Sequence, residues 1–334
     1  MQDKKKIKRA NLRDVARAAD VSVATVSRVL NTPNSVAPNT RDKVQAVITE
    51  LRFTPSAAAR AINSGRTRFV GALVPTLDNA IFARFLAALE NRLDDFGLSC
   101  VVATTQESAE AEVRKAKSLL DIGAEGLILS GVSHAPELFE TVRQAQLPTL
   151  ATSYFDVSAP LPTIGYDNEH AARMGLTHLL ELGHTKIAII HGPAAHNDRT
   201  GARLAGIHSL NCQTLSFHEA EISMQGGCGA AQDIADLVDK PSALFCLSDV
   251  LAMGALFELQ RLGYKIPKDF SILGMDDLPS ARHTFPALTT IHLPVRRMGE
   301  KAGTAMGDWL ENNVVPQPEM LEVKLEIRGS TLPL

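Results

Sequence analysis

The chain has 334 residues, of which 45% are hydrophobic and 21% charged, and this length accommodates two or three domains of ordinary size. The net charge of −3 hides an asymmetry, because residues 1–68 carry 14 Lys or Arg against 5 Asp or Glu, whereas residues 69–334 carry 20 against 32. A basic head on an acidic body indicates a polyanionic partner for the head, although a solvated basic tail would give the same charge pattern.

Cysteine spacing and hydropathy exclude several classes of protein. Cys100, Cys212, Cys228 and Cys246 lie far apart and form no CxxC pair, so neither a zinc site nor a redox motif is expected. The segment MQDKKKIKRANL lacks the apolar part of a secretory signal, and no run of about 18 apolar residues occurs. We therefore expect a cytoplasmic protein without a membrane span, a metal or a cofactor.

The first predicted elements are two short helices joined by a tight turn. Asn11 can cap a helix with Asp14 at its third position, and apolar residues then recur at helical spacing as far as Ala19. Ser22 can cap a second helix over residues 23–30. The inner face of this second helix consists of Val26, Val29 and Leu30. Such a pair of helices predicts a helix-turn-helix unit.

The start of the second helix has the composition of a DNA-reading surface. The first residues of a recognition helix contact base edges in the major groove. Ala24 or Thr25 can touch a thymine methyl group, and Arg28 can pair with O6 and N7 of guanine. Serine and threonine hydroxyl groups suit phosphates. An ordinary helical hairpin with a polar face is the alternative, and the basic charge of the head favours DNA.

A third helix is predicted from Thr40 to Leu51, and an alanine-rich segment follows it. The inward positions of the third helix are Val44, Val47, Ile48 and Leu51. A helix of about eight residues is marginal alone in water, so we expect residues 55–63 to fold on DNA. Ile62 at its end would then wedge into a minor-groove base step. The composition of this segment fits a flexible linker equally well.

Strand-like apolar runs alternate with helical patterns through residues 69–277. The runs are FVGALV, LSCVVAT, EGLILSG, PTLAT, PTIGYD, KIAIIHG, ALFCLS and FSILGMDD. Buried strands separated by helices are typical of parallel sheets that are covered on both faces. These strands are too many for one compact sheet, so we predict two doubly wound lobes with a seam near residues 166–169.

Ligands of doubly wound sheets bind beyond the carboxyl ends of the strands. The segments that follow predicted strands are Asp78–Phe82, Tyr154–Asp156, Ala194–Arg203, Ser248–Asp249 and Met275–Asp277. Their acidic, amide, arginine, hydroxyl and aromatic side chains have the chemistry of a sugar or sugar-acid pocket. Arg199 and Arg203 are four residues apart, so they share one face of a regular helix and suggest an anionic ligand. Two surface arginines beside acidic neighbours are the alternative.

Motifs throughout the chain match one known family in order and spacing. They include LRDVARAADVSVATVSRVLN, VAPNTRDKVQAVITELRFTPSAAARAI, SGRTRFVGALVPTLDNAIF, GYDNEHAA, HLLELGHTKIAIIHGP, ARLAGI, SDVLAMGAL, LGYKIPKDFSILGMDD and PALTTIHLPVRRMGEKAG. They cover nearly all of residues 9–330, and the chain therefore resembles the LacI-type bacterial transcription regulators. The resemblance implies an all-α helix-turn-helix head and an α/β body similar to periplasmic sugar-binding proteins. It also implies a homodimer that reads a pseudo-palindromic operator in double-stranded DNA.

The resemblance further implies a domain division and a set of site residues. The domains would be residues 1–54 as the DNA-binding domain, 55–68 as hinge helix and linker, and 69–334 as the effector-binding and dimerisation body. The two lobes of the body would be about 69–166 plus 295–318, and about 167–294 plus 319–330. The DNA-binding residues would be Ser22, Val23, Ala24, Thr25, Ser27, Arg28 and Asn31, with Ala59 and Ile62 at the minor groove. The effector-binding residues would be Phe82, Asn197, Arg199, Arg203, Ser248 and Asp276.

Four positions depart from the family pattern. Asp20 stands in the turn where the family usually has Gly, and Asp tolerates the left-handed conformation better than most residues. Ala37 replaces a Ser cap, which should weaken the start of the third helix by about 1 kcal/mol. Arg52 replaces another Gly. Ser248 replaces the common Asn before an Asp, which leaves the hydroxyl pattern of the ligand open.

Within the family, the chain most resembles the gluconate-responsive branch. The similar segments are NDRT at 197–200, GALFELQRLG at 254–263 and SHAP at 133–136. This resemblance implies a gluconate-like effector held by Arg199 and Arg203, while a neutral sugar could bind through Arg203 and Asp276 alone. No leucine heptads follow GSTLPL, so we predict a dimer without a tail-mediated tetramer.

The predicted function is a DNA-binding regulator, and we expect a repressor that its effector releases from the operator. A corepressed or activating regulator is an alternative. An exported binding protein would need a signal peptide and no DNA-binding head. An enzyme would need a catalytic motif, and GxSxG, HExxH and Walker sequences are absent, while His191 and His196 have poor spacing for a metal. We therefore expect no catalytic residue; an enzyme would consume its ligand, whereas a regulator would bind it unchanged.

Overall fold

The computed structural model describes residues 10–54, 61, 64–210, 212 and 214–334. The chain divides into two compact units, Met1–Thr67 and Arg68–Leu334. We call the first unit the head and the second unit the body.

The described part of the head contains three helices, and the first two begin where the sequence predicts caps. They are α1 (Leu12–Ala18), α2 (Val23–Asn31) and α3 (Pro38–Glu50), with a 3-10 turn at Pro33–Ser35. The Asn11 side chain accepts hydrogen bonds from the first turn of α1, and the Asp14 carboxylate accepts one from the Asn11 N–H at 3.0 Å. Ser22 Oγ accepts a hydrogen bond from the Thr25 N–H at 3.1 Å. Each cap satisfies backbone donors that a helix leaves without intrahelical partners.

The three helices pack around a small apolar core. Its buried side chains are Val15, Ala16, Ala19, Val26, Val29, Val44, Ile48 and Phe53. The predicted inner faces of α2 and α3 are therefore confirmed, with Leu30, Val47 and Leu51 partly buried against this core. The third helix begins two residues earlier than predicted, because Pro38 occupies its first turn, where a missing N–H costs no hydrogen bond.

Three of the departures from the family pattern have visible backbone consequences. Asp20 and Arg52 both take left-handed conformations, with φ of 51° and 47°. Ala37 supplies no side-chain cap to α3. Asp20 is among the residues that tolerate this conformation, whereas a long side chain such as that of Arg52 costs about 1 kcal/mol there.

Twelve strands and eight helices make up the described part of the body. The strands are β1 (Phe69–Val74), β2 (Ser99–Thr104), β3 (Ala124–Ser130), β4 (Thr149–Thr152), β5 (Thr163–Gly165), β6 (Ile187–His191), β7 (Leu215–Glu219), β8 (Ala243–Cys246), β9 (Ser271–Asp276), β10 (Thr289–His292), β11 (Glu319–Met320) and β12 (Lys324–Glu326). The helices are α4 (Ala80–Asp94), α5 (Ala109–Asp121), α6 (Pro136–Gln144), α7 (Asn168–Glu181), α8 (Asp198–His208), α9 (Met224–Ala235), α10 (Asp249–Arg261) and α11 (Val295–Asn312). A 3-10 turn lies at Pro279–His283.

The strands form two sheets, one in each lobe. The order is β11-β5-β4-β3-β1-β2 in the first lobe and β12-β10-β9-β8-β6-β7 in the second. All pairs are parallel except β10 with β12. Both sheets thus repeat the doubly wound order in which the first two strands are inverted, so each has a switch point for a ligand. The predicted fold of two doubly wound lobes is confirmed.

The chain crosses between the lobes three times. The first crossing follows β5 at Tyr166, where the sequence placed the seam, and the second precedes α11. The third crossing lies after Met320 rather than before Glu319, because Glu319 and Met320 pair with Ile164 and Gly165 of β5. This pairing satisfies backbone groups on the edge of the first sheet, which the sequence pattern does not reveal.

Buried apolar side chains from both lobes form one continuous cluster near the crossings. Tyr166, Val295 and Met298 belong to it, and all three also line the space between the lobes. The ligand cleft therefore has a floor made by the same packing that joins the lobes. Within the described residues, no helix is both long and apolar enough to cross a bilayer.

Candidate functional site

The first candidate site is the exposed start of α2 in the head. Ser22, Val23, Ala24 and Arg28 are exposed, while Thr25 and Ser27 are half-buried. The side-chain oxygens of Ser22 and Thr25 lie 2.9 Å apart. Val23, which is apolar, is 42% exposed beside these hydroxyl groups. The arrangement presents one cation, hydroxyl groups and small apolar side chains on one surface.

The other predicted DNA-binding residues cannot be placed on this surface. Ala59 and Ile62 lie outside the described residues, and so does the side chain of Asn31. Their roles stay predictions from the sequence.

The second candidate site is a cleft between the two lobes of the body, with a volume of about 710 Å³. The loops after β1, β2, β4, β5, β6, β7 and β8 contribute to it, together with Asp276 at the end of β9, so it lies at the carboxyl ends of both sheets. The cleft brings together all six predicted effector-binding residues. These are Phe82, Asn197, Arg199, Arg203, Ser248 and Asp276.

Ser248 and Asp276 form one end of the cleft. Ser248 caps α10 by accepting a hydrogen bond from the Val250 N–H, and its hydroxyl group donates to Asp276 Oδ2 at 3.1 Å. Burial raises the pKa of Asp276 to about 6, although the nearby Arg203 guanidinium acts in the opposite direction. Asp276 therefore offers the cleft a buried acceptor whose charge is partly balanced by Arg203.

Asp249 lies directly behind this end and does not line the cleft. Its carboxylate accepts a hydrogen bond from the Thr290 hydroxyl at 2.6 Å and another from the Leu278 N–H at 2.7 Å. Burial, followed by the charge of Asp276, raises the pKa of Asp249 to about 7. The two neighbouring carboxyl groups thus disfavour simultaneous ionisation.

Arg203 is held in a fixed orientation by neutral acceptors. Its Nε donates to Asn168 Oδ1 and its Nη1 donates to the Leu247 carbonyl oxygen, both at 3.0 Å. Asn168 in turn donates from Nδ2 to the carbonyl oxygen of Ser153 in the first lobe, at 3.0 Å. Since these partners carry no formal charge, Arg203 keeps its positive charge available for a ligand or for Asp276.

Arg199 has acidic partners within the protein. Its Nη1 donates to Asp198 Oδ1 at 3.0 Å, and its Nη2 lies 3.7 Å from Glu107 Oε1. Glu107 also accepts a hydrogen bond from Asn197 Nδ2 at 2.7 Å. Burial raises the pKa of Glu107, while Arg199 lowers it by a smaller amount. The predicted arginine clamp is therefore not open, because two carboxylates already balance the charge of Arg199.

Sequence reasoning missed Glu107, which follows β2 at the carboxyl edge of the first sheet. Its position after a strand was a usable signal, since the same rule selected the other loops of the cleft. Both Gln106 and Glu107 have left-handed backbone conformations, with φ of 52° and 56°. The rule also selected Asp156, but this residue lies outside the cleft. Its Oδ1 accepts a hydrogen bond from the Ser158 N–H at 2.8 Å within a local turn.

A helix-turn-helix head in the same chain as a two-lobed body with a ligand-sized cleft defines a ligand-responsive DNA-binding regulator. Residues 11–56 match the family described as bacterial regulatory proteins of the lacI family, and residues 176–331 match the periplasmic binding protein-like domain. The HTH-type transcriptional repressor PurR of Escherichia fergusonii is 31% identical over 323 residues, which are 94% of each chain. The chain belongs to the LacI family of transcription regulators, which are not enzymes.

Solved structures agree with this assignment. The lac repressor dimer bound to operator and the anti-inducer ONPF superposes with a TM-score of 0.87 and 28% identity, covering 97% of this chain and all of that chain. The transcription regulator GntR from Chromobacterium violaceum gives a TM-score of 0.72 and 27% identity, covering 79% of this chain and 99% of that one. The relatives found by sequence comparison that are named here are PurR repressors. They therefore do not support the predicted gluconate-responsive branch.

Proposed function

We propose that this protein is a repressor that binds operator DNA as a homodimer and loses affinity for it when a small polyhydroxylated effector occupies the cleft. In this proposal residues 1–54 read DNA, residues 55–68 form the hinge and residues 69–334 form the effector-binding body. The observation that carries it is the cleft of about 710 Å³, in which fixed donors and acceptors converge from both lobes. A cavity of this size with a few placed polar groups is typical of small-molecule sites.

The chemistry of the cleft favours hydroxyl groups as the recognised feature. Asp276 can accept hydrogen bonds from two hydroxyl groups of a ligand, and Arg203 and Asn197 supply donors beside apolar Phe82. An aromatic face, a carboxylate and a guanidinium group together recognise the alternating apolar and polar surface of a sugar.

Neutral sugars and sugar acids differ in what they require of the charged groups in the cleft. Among the described residues, its lining carries two guanidinium groups, those of Arg199 and Arg203, and five carboxyl groups. The carboxyl groups are those of Asp78, Glu107, Glu219, Glu221 and Asp276. A neutral sugar leaves the pairing of Arg199 intact. A gluconate-like acid, the second candidate, has to replace Glu107 as the partner of Arg199, and the raised pKa of Glu107 makes that exchange easier at low pH.

Isothermal titration of the full chain tests the effector class. The panel consists of gluconate, glucose, ribose and cellobiose, with adenine and guanine as ligands without hydroxyl groups. We expect a sugar or sugar acid to bind, and Arg203→Gln to weaken its binding at least tenfold. If Arg199→Gln abolishes gluconate binding, the arginine clamp is supported. If only a purine base binds, the proposed effector class is wrong.

The head is proposed to read DNA with Val23, Ala24 and Arg28, while Ser22, Thr25, Ser27 and Asn31 lie near the backbone. Among the described residues, Arg28 forms no ion pair, so its guanidinium group is available to a guanine. Ala59 and Ile62 would act at the minor groove. Selection of operator sequences from a random library, followed by Arg28→Ala, tests this surface. We expect a loss of discrimination at one base pair of about 1–3 kcal/mol, and unchanged sequence preference would contradict it.

We propose that a second copy of the chain covers an apolar patch on the second lobe. Phe285 is 88% exposed and Phe257 on α10 is 46% exposed. The Phe285 segment is tied to α10, because Gln260, one turn after Phe257, donates a hydrogen bond to the Phe285 carbonyl oxygen at 2.5 Å. Size-exclusion chromatography with light scattering should show a dimer, and Phe257→Ser with Phe285→Ser should give a monomer. Val157→Ser, at a residue that is 72% exposed in the first lobe, is the control.

The direction of regulation is read from operator affinity with and without the effector. We expect the effector to lower this affinity, as in a repressor that is induced. An effector that raises the affinity would make the protein a corepressed regulator, while consumption of the ligand would identify an enzyme.

A further inference from the structure

Besides the three crossings of the chain, a hydrogen-bonded clasp joins the two lobes. Asp198, the first residue of α8 in the second lobe, extends its carboxylate to the loop after β3 in the first lobe. Asp198 Oδ2 accepts hydrogen bonds from the Val132 N–H at 2.5 Å and from the Ser133 N–H at 2.8 Å. Two backbone donors on one carboxylate oxygen form a charge-assisted contact, which is stronger than a contact between neutral groups.

The loop is shaped to receive this carboxylate. Gly131 has a φ of +88°, which favours glycine over other residues. A Cβ atom at this position would lie 2.3 Å from Arg199 Nη1 and 2.6 Å from Asp198 Oδ2. The absence of a side chain at Gly131 therefore lets the backbone of the first lobe approach Asp198 and Arg199 closely.

The same loop is anchored within its own lobe by His134. Its ring nitrogens face the Gly131 carbonyl oxygen at 3.1 Å and the Glu112 carboxyl group at 3.0 Å, and its side chain is only 1% exposed. The carbonyl oxygen can only accept, so the ring donates from Nε2 to Gly131. Because His134 fixes the loop to α5, we expect the loop to move together with the first lobe when the angle between the lobes changes.

The clasp is continuous with the ligand cleft. Asn197 and Arg199, the two neighbours of Asp198, line the cleft, and both contact Glu107 of the first lobe. Three consecutive residues at the start of α8 thus combine a fixed link between the lobes with side chains that face the ligand. Any change in the lobe angle alters the clasp and the ligand contacts together.

We propose that Asp198 is the positioning residue that holds the two lobes closed around the effector and sets Asn197 and Arg199 in place. This inference rests on the proposed effector site in the cleft. Asp198 acts through the backbone of Val132 and Ser133, and no contact of its own with the effector is required. Removal of its carboxylate should open the cleft and weaken effector binding, because binding energy is then needed to bring the lobes together.

Hydrogen exchange of the full chain without ligand tests the clasp directly. Asp198→Ala should speed exchange of the Val132 and Ser133 amides at least tenfold, because the carboxylate is their acceptor. Asp236→Ala removes an exposed carboxylate at the end of α9 and is the matched control. Gly131→Ala should give the same faster exchange from the other side of the clasp. If Asp198→Ala leaves the protection of these amides unchanged, the clasp is refuted.

Effector titration then tests the positioning role. For whichever panel compound binds the wild-type chain, Asp198→Ala should raise the Kd by about 5–150-fold, the usual range of coupling between two states. Faster exchange with an unchanged Kd would overturn the positioning role. If no panel compound binds the wild type, the proposed effector class fails, while the exchange result still decides the clasp.

Discussion

The buried carboxylate of Asp249 should make the stability of the body depend on pH. Both of its oxygens accept hydrogen bonds, one from Thr290 and one from the Leu278 N–H, and the residue is fully buried. Asp249→Asn replaces it with a neutral group of the same shape. The amide oxygen can accept from Leu278, and the amide nitrogen can donate to the Thr290 hydroxyl, which rotates to accept.

The expected size follows from the raised pKa. Asp249 moves from its ordinary value of 3.8 to about 7 because burial and the charge of Asp276 disfavour ionisation. At about 1.4 kcal/mol per pH unit, this difference corresponds to about 4 kcal/mol of the free energy of unfolding. The folded state holds the proton more tightly than the unfolded state. Stability from this group is therefore present below pH 4 and is lost as the pH rises towards 7.

Thermal unfolding at pH 5, 6, 7 and 8 measures this effect. The wild type should lose stability relative to Asp249→Asn as the pH rises, and the two melting temperatures should diverge by on the order of 10 °C over this range. Asp236→Asn, at an exposed position, is the control for removal of one charge. A difference between wild type and Asp249→Asn that stays constant from pH 5 to pH 8 would refute the reasoning, whatever its absolute size.

Three further predictions address the head, the cleft and the first lobe. Ser22→Ala removes the cap of α2 and should lower the stability of the head by about 1 kcal/mol, which urea unfolding followed by circular dichroism measures; an unchanged midpoint would contradict the cap. Because burial raises the pKa of Glu107, aldonate binding to Arg199 should tighten as the pH falls from 7 to 5 in the wild type. In Glu107→Gln binding should be tighter at pH 7 and should depend less on pH, with the remaining dependence due to Asp276, and titration calorimetry at both pH values would disprove this if the two proteins behaved alike. Gly165→Ala places a Cβ atom 2.3 Å from the Tyr154 carbonyl oxygen and should destabilise the body by about 1–3 kcal/mol, so an unchanged melting temperature would show that the backbone yields easily.

Local sequence signals were sufficient for the head. The caps at Asn11 and Ser22 act within three residues of themselves, so their effect does not depend on the rest of the fold. The inner faces of α2 and α3 follow from helical spacing alone. The left-handed turn at Asp20 was also predictable, because the family pattern places a glycine there.

The body shows where sequence patterns fail. β7 is an edge strand with two of its five residues exposed and none fully buried, so it lacks the buried apolar run that revealed the central strands. Helix α11 contains Gly299, Gly303 and Gly307, which lower its intrinsic helix propensity. These glycines are required by packing, since a Cβ atom at Gly299 would lie 2.5 Å from the Phe85 carbonyl oxygen of α4. The glycines of α11 thus explain both its weak helix signal in the sequence and its close contact with α4.

The sequence by itself determined the family, the fold class and several of the loops that carry the cleft, because caps, buried runs and the order of motifs are properties of the chain. It did not select the loops that follow β2 and β7. Only the tertiary structure decided the electrostatic state of the site. The sequence predicts that Arg199 is a cation available to a ligand. In the folded chain, however, Glu107 of the other lobe lies 3.7 Å from its guanidinium group. Likewise, Asp198 meets the amides of Val132 and Ser133 only when the lobes come together. Charges separated by many residues pair according to the packing of two sheets, which no local pattern encodes.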